Sequence, residues 1–471
     1  MLNELQSMRI LLINPFVNKR KMYGGFHKLG GVLPPLGLSY LAGVLLQKGC
    51  QVKIVDANLL QLSSGQVIEV LHAYNPDLVG ITATTLSYGL AKDLATAIKI
   101  NHPKLPIIFG GPHAAGFEKS ILLEACFDFV VTNEGEKTIV ELVEALGDTS
   151  KIKAVNGLSW KDGEEIVINP PQEMIEDLDS IPFPARHLLP PLAQYIPKAI
   201  SYKHLPTTHI FTSRGCPYKC VFCRTSFGKS VRYHSAEYVV EELDILIKNY
   251  GLREVIINDD TFILNIERVY KICELIHKRG LKINWSCNVR SNMVDRKLLQ
   301  TMIKAGCWMV ALGMESGNPE VLKKLRKGAT LEQGVRACKL AYELGLYVRP
   351  SFIIGNPGDT PETVEQTIAL AVSLPAHFPS FMLMTPFPGT EIWEKAHEFG
   401  TFDHSDICQL QVSSKASFVP YGLTADYMEK KCKEGFKRAY MNPHMAWRHL
   451  AKIRSVYDVK KLVRNALDFL G

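Results

Sequence analysis

Hydrophobic residues in the first third of the chain form short apolar runs separated by longer amphipathic stretches. The apolar runs, which predict buried strands, occupy residues 8–14, 51–55, 78–82, 106–109 and 129–131. The amphipathic stretches, which predict helices, occupy residues 34–46, 66–73, 90–100, 118–125 and 136–146. Strands and helices that alternate in this way predict an α/β fold with a doubly wound parallel sheet. Ligands of such sheets bind at the carboxyl ends of the strands.

A second alternation of strands and helices begins near residue 208. Strands are predicted at residues 208–212, 254–258, 282–286, 309–313, 348–354 and 381–384. Helices are predicted at residues 236–249, 267–279, 296–305, 331–344 and 361–374. These units predict a partial (β/α)6 barrel that is TIM-like. The chemistry of such a barrel belongs at the carboxyl ends of its strands.

The pattern loosens between the two alternating regions and again near the end of the chain. Residues 177–186 are acidic and rich in proline, which predicts an ordered linker, and residues 164–168 predict a hairpin strand. Helices are predicted at residues 426–438 and 445–464. We therefore expect a first domain at residues 1–149, a linker at 150–195, a barrel at 196–400 and a C-terminal helical region at 401–471.

Composition narrows the class of protein. Charged residues make up 21% and hydrophobic residues 46% of the 471 positions, as is usual for a soluble globular protein. No apolar run is long enough to span a membrane, and residues 1–8 lack the features of a secretion signal. Eleven cysteines without such a signal indicate a reducing, cytoplasmic environment rather than a disulfide framework.

The net charge of +7 is too small to indicate nucleic-acid binding, and we expect none. Many of the basic residues lie in the two predicted C-terminal helices. We interpret them as a solvated helical face, with weak association with a membrane surface as the alternative.

The densest chemical feature is a loop of three cysteines directly after the first predicted barrel strand. Cys216, Cys220 and Cys223 follow one another within residues 214–223. A mononuclear zinc site needs a fourth ligand, usually from a second Cys or His pair at set spacing, and no such pair is visible. Three thiolates suit a four-iron cluster with one iron left open to another ligand. The alternative is three buried cysteines that pack as small apolar groups.

This Cys-x3-Cys-x2-Cys loop after a barrel strand resembles the radical S-adenosylmethionine (SAM) superfamily. The resemblance implies a [4Fe-4S] cluster whose open iron binds the methionine part of SAM and cleaves it to a 5'-deoxyadenosyl radical. It also implies an aromatic residue near adenine, polar groups on the SAM ammonium, a guanidinium on its carboxylate, and later turns on the ribose and adenine. In that order along the chain, the implied SAM-binding residues are Phe222, Asn258, Asp259, Asp260, Arg290, Glu315, Ser316, Gly355 and Pro357.

The first domain resembles the cobalamin-binding domain of cobalamin-dependent radical SAM proteins. The segments that match lie at residues 12–15, 34–38, 55–57, 110–113 and 134–136. The implied cobalamin-binding residues, all in strand-end loops, are Thr82, Thr84, Thr85, Gly110, Gly111, Pro112, His113, Glu134 and Gly135.

One cobalamin motif is missing. Many cobalamin proteins bind cobalt through the His of an Asp-x-His-x-x-Gly motif, which this chain lacks, since Asp56 is followed by Ala57-Asn58. We therefore expect no cobalt ligand from this motif. We expect His113 to act as a hydrogen-bonding group rather than as a ligand.

The resemblance implies an enzyme that methylates an unactivated carbon of a small-molecule or lipid-like substrate, through a 5'-deoxyadenosyl radical and methylcobalamin. It also implies an electron donor such as flavodoxin or ferredoxin. One alternative is an oxidative cyclase or ring-rearranging enzyme of tetrapyrrole or other specialised biosynthesis. An alternative of another class is a non-catalytic cobalamin-binding sensor. A methylthiotransferase is disfavoured because its N-terminal domain carries a second cysteine trio, whereas here that domain has only Cys50 and Cys126.

Overall fold

The protein is described by a computed structural model that covers residues 7–17, 31–225, 227–403, 410 and 414–443. The helix predicted at residues 445–464 lies outside the described residues. The chain divides into two compact units, the first formed by Met1–Asn18 and Val32–Tyr195 and the second by Lys19–Gly31 and Ile196–Gly471. Residues 150–195, for which the sequence predicts a linker, are grouped with the first unit.

The first unit contains a seven-stranded sheet in the order β2-β1-β3-β4-β5-β6-β7. Its strands are β1 (Arg9–Asn14), β2 (Gln51–Asp56), β3 (Leu78–Thr82), β4 (Ile107–Gly110), β5 (Phe129–Val131), β6 (Leu158–Asp162) and β7 (Glu165–Ile168). The first five strands are parallel, as predicted, and β6 and β7 add an antiparallel edge. The hairpin strand predicted at residues 164–168 is β7.

Helices connect the strands of the first unit. They are α1 (Leu36–Gln47), α2 (Ala57–Leu60), α3 (Ser64–Tyr74), α4 (Tyr88–Asn101), α5 (Glu118–Leu123), α6 (Gly135–Ala145) and α7 (Thr149–Ile152). Local chemistry sets where several of them begin. Ser63 and Gln66 form a reciprocal capping box at the start of α3, and the Asp56 side chain accepts the Leu59 backbone N–H at the start of α2.

The proline-rich segment at residues 177–186 packs on α1 of the same unit. The backbone N–H of Ala185 donates to the carbonyl of Ser39, with the two atoms 2.8 Å apart. A Cβ placed on Gly43 would lie only 3.2 Å from the carbonyl oxygen of Phe183, so the helix and this segment are in close contact. The segment is therefore anchored to the first unit along its length rather than free between elements.

The second unit contains a six-stranded parallel sheet in the order β15-β14-β13-β12-β11-β8, which confirms the predicted partial barrel. Its strands are β8 (Thr207–Ile210), β11 (Glu254–Ile257), β12 (Asn284–Val289), β13 (Cys307–Glu315), β14 (Tyr347–Ile354) and β15 (Ser380–Leu383). The connecting helices are α8 (Ala236–Tyr250), α9 (Ile266–Lys278), α10 (Arg296–Lys304), α11 (Pro319–Lys324), α12 (Leu331–Glu343) and α13 (Pro361–Ser373).

The two faces of the barrel sheet differ in exposure. Along β14 the residues alternate between partly open and buried, with Arg349 and Ser351 on the partly open face. On the opposite face the rings of Phe352 and Phe381 stack with their centroids 5.6 Å apart, and Phe381 in turn contacts Phe436 of the helix at Ala425–Tyr440. Full TIM barrels fill the inner face with packed side chains. This incomplete barrel therefore has an inner face that solvent reaches.

The described C-terminal residues complete the second unit. Short helices α14 (Glu391–Glu394) and α15 (Ala396–Phe399) precede the strand pair β16 (Gly400–Phe402) and β17 (Phe418–Pro420), and α16 (Ala425–Tyr440) follows. The ring of Phe436 contacts that of Phe381, so α16 packs on β15. Among the described residues, no helix is long and apolar enough to cross a membrane.

Two basic side chains on α16 form ion pairs with carboxylates. Lys431 and Arg438 both contact the carboxylate of Glu365 on α13, and both also pair with Glu434. These pairs support the interpretation of this face as a solvated, self-compensated helical surface.

Candidate functional site

Backbone geometry shapes the cysteine loop of the second unit. The loop leaves a two-residue strand, β9 (Ser213–Arg214), and returns through β10 (Arg232–Tyr233), which pairs with β9 antiparallel. Gly215 has φ +95°, and a Cβ at this position would lie 2.2 Å from the carbonyl oxygen of Ser230. Only glycine fits this position, so the loop depends on Gly215 to start its turn.

The three cysteines of the loop are free thiols at or near the surface. Cys216 and Cys220 are partly buried, and Cys223 is exposed. The pKa of the Cys223 thiol is raised to about 11, first by desolvation and then by the charges of Cys220, Asp260 and Cys216. These charge effects come from groups of the cysteine loop itself and from Asp260 after β11. A bound metal cluster would reverse them, because a coordinated thiol is held as the thiolate.

The donor set that the loop offers to a metal is three free thiols. Within the described part of the chain, no three His, Cys, Asp or Glu side chains are placed to hold one metal ion together. A four-iron cluster binds each thiolate at a different iron, so its ligands surround a wider space. The other cysteines that the structure describes are buried, away from the loop surface. The residues present therefore fit the three-thiolate cluster that the sequence predicts.

Arg290 is the second element of this site. It follows β12 and is 7% exposed, and its guanidinium carbon lies 3.3 Å from the ring centroid of Tyr218 in the cysteine loop. Its Nε and Nη2 atoms are buried and make no hydrogen bond. A buried guanidinium without an acceptor is costly, so this arrangement suits an anionic ligand such as the carboxylate of SAM.

The acidic residues predicted after the second barrel strand differ in role. Asp259 is fully buried, and its oxygens accept hydrogen bonds from the backbone N–H and hydroxyl of Thr212 and from the hydroxyl of Ser213, at 2.6–2.7 Å. Burial raises the pKa of Asp259. Asn258 and Asp260, by contrast, have exposed side chains. The carboxylate of Asp259 therefore holds the stem of the cysteine loop, and Asp260 is the one that faces outward.

Glu315 and Ser316, at the end of β13, make contacts inside the protein. Glu315 has φ +62° and pairs with Lys327, with Oε1 and Nζ 2.6 Å apart and both side chains largely buried. Gly313 makes room for this pair, since an added Cβ would lie 2.1 Å from Oε1 of Glu315. The hydroxyl of Ser316 lies 3.3 Å from that of Thr367 on α13. Ser316 thus faces a helix, and Glu315 is held by its cation.

The turn after β14 contains Asn356, which the sequence analysis did not single out. Gly355 has φ +84°, and its N–H donates to Oδ2 of Asp359 at 3.1 Å. Next to it, Asn356 is fully buried and its Oδ1 has no hydrogen-bond donor. Pro357 is buried in the same turn. Asn is common in turns for structural reasons, so the amino-acid sequence alone does not identify Asn356 as a functional residue.

The cysteine loop also carries two aromatic residues, Phe222 and Tyr218. Phe222 is partly buried against an apolar cluster that includes Val321 and Ile353. Tyr218 was also missed from the sequence, although an aromatic residue among cysteines was the available signal. Its carbonyl accepts a hydrogen bond from Nζ of Lys229 at 2.7 Å. Burial and the charge of Asp259 raise the pKa of Asp260, and the charge of Lys229 offsets part of this rise.

The predicted cobalamin loops lie at the carboxyl ends of adjacent parallel strands in the first unit. Thr82 of β3 is in register with Gly110 of β4. Gly111 has φ +100°, and a Cβ there would lie 2.5 Å from the hydroxyl oxygen of Thr82. Thr84, Gly111 and Pro112 are exposed. This edge therefore offers close-packed backbone and a hydroxyl to a ligand.

Other predicted cobalamin residues are held within the first unit. His113 is 2% exposed, its Nδ1 lies 3.3 Å from the hydroxyl oxygen of Thr85, and its ring stacks on that of Phe117. Glu134 is buried and accepts the backbone N–H of Ile175 at 2.9 Å. His113 thus has the hydrogen-bonding role that we expected of it.

Asp56, where a cobalt-ligating motif would begin, is fully buried. It accepts hydrogen bonds from the amide of Asn14 at 2.8 Å, the N–H of Leu59 at 3.0 Å and the hydroxyl of Tyr195 at 2.9 Å. Burial raises the pKa of Asp56 despite these bonds. Asp56 thus serves as a structural acceptor.

Comparison with known families gives two matches within the chain. Residues 210–371 match the radical SAM superfamily, and residues 24–143 match the B12 binding domain. The chain is 38% identical to an uncharacterized methyltransferase of Pyrococcus horikoshii, across 83% of this chain and 84% of the relative. It is 30% identical to the anaerobic magnesium-protoporphyrin IX monomethyl ester cyclase of Rubrivivax gelatinosus, across 92% of this chain and 78% of the relative.

Solved structures share the fold. The radical SAM methyltransferase TsrM of Kitasatospora setae, solved with cobalamin and a [4Fe-4S] cluster, superposes with a TM-score of 0.71 at 20% identity, covering 93% of this chain and 90% of that one. The cobalamin-dependent radical enzyme OxsB, with aqua-cobalamin and SAM bound, superposes with a TM-score of 0.74 at 19% identity, covering 99% of this chain and 72% of that one. These likenesses confirm the predicted α/β architecture.

Proposed function

The chain belongs to the radical SAM superfamily, in the group that also carries a B12 binding domain, and we propose that it methylates a carbon atom of a small-molecule substrate. Its cofactors are a [4Fe-4S] cluster, SAM and cobalamin. When bound, the cluster and SAM supply a carbon-centred radical and cobalamin supplies the methyl group. The protein binds and orients these groups, and no side chain is assigned a catalytic proton transfer.

The observation that carries the proposal is the buried guanidinium of Arg290, stacked on Tyr218 within the cysteine loop. It offers unused donors beside three thiols that fit a cluster. Arg290 would hold the carboxylate of SAM, and the outward-facing Asp260 would attract its ammonium. Asp259 would keep the loop stem in place through its bonds to Thr212 and Ser213. These contacts orient SAM from both ends of its amino-acid part.

The choice of methyl transfer rests on relatives. Besides the methyltransferase of Pyrococcus horikoshii, the chain is 30% identical to the hopanoid C-3 methylase of Methylococcus capsulatus, across 77% of this chain. The second candidate function is radical-driven oxidation or cyclisation without methyl transfer. It is favoured by the cyclase of Rubrivivax gelatinosus, which matches more of the chain at a lower identity than the methyltransferase of Pyrococcus horikoshii.

Products of SAM distinguish the two functions. The full chain, with its cluster reconstituted and cobalamin bound, is reduced without oxygen and given SAM. A methyltransferase forms S-adenosylhomocysteine as the methyl group leaves SAM, whereas a cyclase forms 5'-deoxyadenosine alone. We expect S-adenosylhomocysteine in proportion to bound cobalamin. If reduced, cobalamin-loaded protein makes deoxyadenosine and no S-adenosylhomocysteine, methyl transfer is excluded.

An electron donor of the flavodoxin or ferredoxin class would reduce the cluster, since the reaction consumes electrons that no side chain supplies. The test is replacement of a chemical reductant by reduced flavodoxin in the same assay. We expect deoxyadenosine to form with either reductant, and failure with flavodoxin and ferredoxin alike would exclude this class of donor.

A further inference from the structure

Arg349 lies on the inner face of the barrel, on the third residue of β14. In the sheet register it lies opposite Ala311 of β13, which in turn lies opposite Asn288 of β12. The amide of Asn288 donates to the backbone carbonyl of Asp259 at 3.0 Å. Arg349, Ala311 and Asn288 therefore form one row across three neighbouring strands. This row ends at Asn288, close to the strand end that precedes Asp259, next to the cysteine loop.

Within the described residues, the guanidinium of Arg349 pairs with no carboxylate. Its one hydrogen bond among the described residues runs from Nη1 to the hydroxyl oxygen of Ser201, 3.2 Å away, and no Asp or Glu in that part of the chain forms an ion pair with it. Arg326 and Arg438, by contrast, each contact a carboxylate. Desolvation lowers the pKa of Arg349, although a guanidinium stays charged in proteins.

A second cation lies close to Arg349, because Ser201, which accepts the hydrogen bond from Arg349, donates its backbone N–H to the carbonyl of Lys198 at 2.8 Å. Burial, followed by the charge of Arg349, lowers the pKa of Lys198. The Lys198 side chain is nonetheless reached by solvent. Two neighbouring cations in a partly desolvated space repel each other, and an anion bound between them relieves this repulsion.

The rest of this face is mixed in character. Ser351 of β14 lies opposite Ser380 of β15, and both are partly open to solvent. Met382, two residues further along β15, has 36% of its surface exposed. The lumen thus offers positive charge, hydroxyl groups and an apolar surface in one place, which suits a ligand with an anionic group and an apolar body.

We propose that the barrel lumen binds the substrate through an anionic group, a carboxylate or a phosphate, held by Arg349 and Lys198. The inference deepens the proposed function and rests on it only in calling the bound anion part of a substrate. A purely structural Arg349, present to hold Ser201, would bind no anion, so the two roles make different predictions.

Lysine labelling tests this inference without any turnover. The full chain, with its cluster reconstituted, is acetylated near neutral pH by an N-hydroxysuccinimide ester, and mass spectrometry gives the labelling rate of each lysine. Inorganic phosphate or butyrate is added at an ionic strength held constant with chloride. Each unit by which a bound anion raises the pKa of Lys198 lowers its reactive neutral fraction by about tenfold. The exposed Lys278 and Lys304 serve as internal controls.

We expect at least one of the two anions to slow labelling of Lys198 selectively, and Arg349→Gln to abolish this protection. Arg349→Lys should retain part of it, which shows that the site survives substitution. Arg296→Gln, which removes an exposed cation paired with Glu343, is the matched control and should leave protection intact. Protection by phosphate alone indicates a phosphorylated substrate, and protection by butyrate alone indicates a carboxylate.

The inference is overturned if neither anion protects Lys198 beyond chloride, or if protection is unchanged in Arg349→Gln. Since the experiment involves no methyl transfer, either result leaves the proposed function standing. Conversely, absence of S-adenosylhomocysteine in the assay described above would remove methyl transfer without touching anion binding.

Discussion

The guanidinium of Arg290 lies 3.3 Å from the ring centroid of Tyr218, two residues after Cys216 in the cysteine loop. This contact links the end of the third barrel strand to the loop that holds the thiols. The ring supports the cation on one side, while buried N–H groups remain without acceptors. We propose that these N–H groups bind a carboxylate beside the cysteine loop.

Replacement of Tyr218 tests whether its ring orients Arg290. Tyr218→Phe keeps the aromatic face and should bind SAM with nearly unchanged affinity. Tyr218→Leu removes the face and should weaken SAM binding by several-fold to about 30-fold, since a desolvated cation–π contact contributes about 1–2 kcal/mol. Equilibrium dialysis with the reconstituted protein measures both. Equal affinities in the two variants would show that the ring has no such role.

Replacement of Cys216, Cys220 and Cys223 together by Ala should remove the cluster. Anaerobically reconstituted wild-type protein should carry about four irons per chain at this site, and the triple variant almost none. Cys273→Ala, in a buried core, is the control and should keep its iron. Iron analysis with a visible absorption spectrum decides the question, and a triple variant that still cleaves SAM would contradict the assignment.

Gly111→Ala should impair the cobalamin loop. Ala at φ +100° is strained by about 1–2 kcal/mol, and its Cβ would in addition press on the Thr82 hydroxyl. Gly116→Ala is a matched control, because Gly116 also has positive φ but an added Cβ meets nothing within 4 Å. We expect Gly111→Ala to lose more affinity for hydroxocobalamin than Gly116→Ala. Equal losses would show that this close approach is unimportant.

Asp56 should make stability depend on pH. Burial raises its folded-state pKa above the ordinary 3.8, so the folded state binds the proton more tightly than the unfolded state. Stability linked to this group is fully present below 3.8 and is lost as pH rises through the folded pKa. Asp56→Asn removes the titrating group. The Tm of this variant minus the Tm of wild type should therefore increase as pH rises. A difference in Tm that is constant with pH would contradict this account.

Sequence reasoning recovered what depends on local pattern and motif. Both sheets were predicted from runs of apolar residues. The cysteine loop and Arg290 were predicted to lie at the site because each comes directly after a barrel strand. It did not recover contacts between distant segments. Tyr195 and Asp56, which share a hydrogen bond, are 139 positions apart, and no periodicity links them.

Side-chain direction at strand ends was also beyond the sequence. Ser316 directly follows β13, next to a bulge between Gly313 and Glu315, and its hydroxyl lies 3.3 Å from that of Thr367. The SAM contact predicted for Ser316 stays a prediction. A bulge shifts the alternation of faces by one residue, and its position depends on the neighbouring strand. Glu315, in the same bulge, has a positive φ and pairs with Lys327.

We propose that the cysteine loop and Arg290 form one SAM site, in which SAM binds to the open iron. The most direct measurement is the electron paramagnetic resonance spectrum of the reduced cluster with and without SAM. We expect SAM to shift the g values in wild-type protein. In Arg290→Gln the shift should need on the order of 10–100-fold more SAM, as loss of a charged hydrogen-bond partner implies. A wild-type spectrum that saturating SAM leaves unchanged would contradict the account.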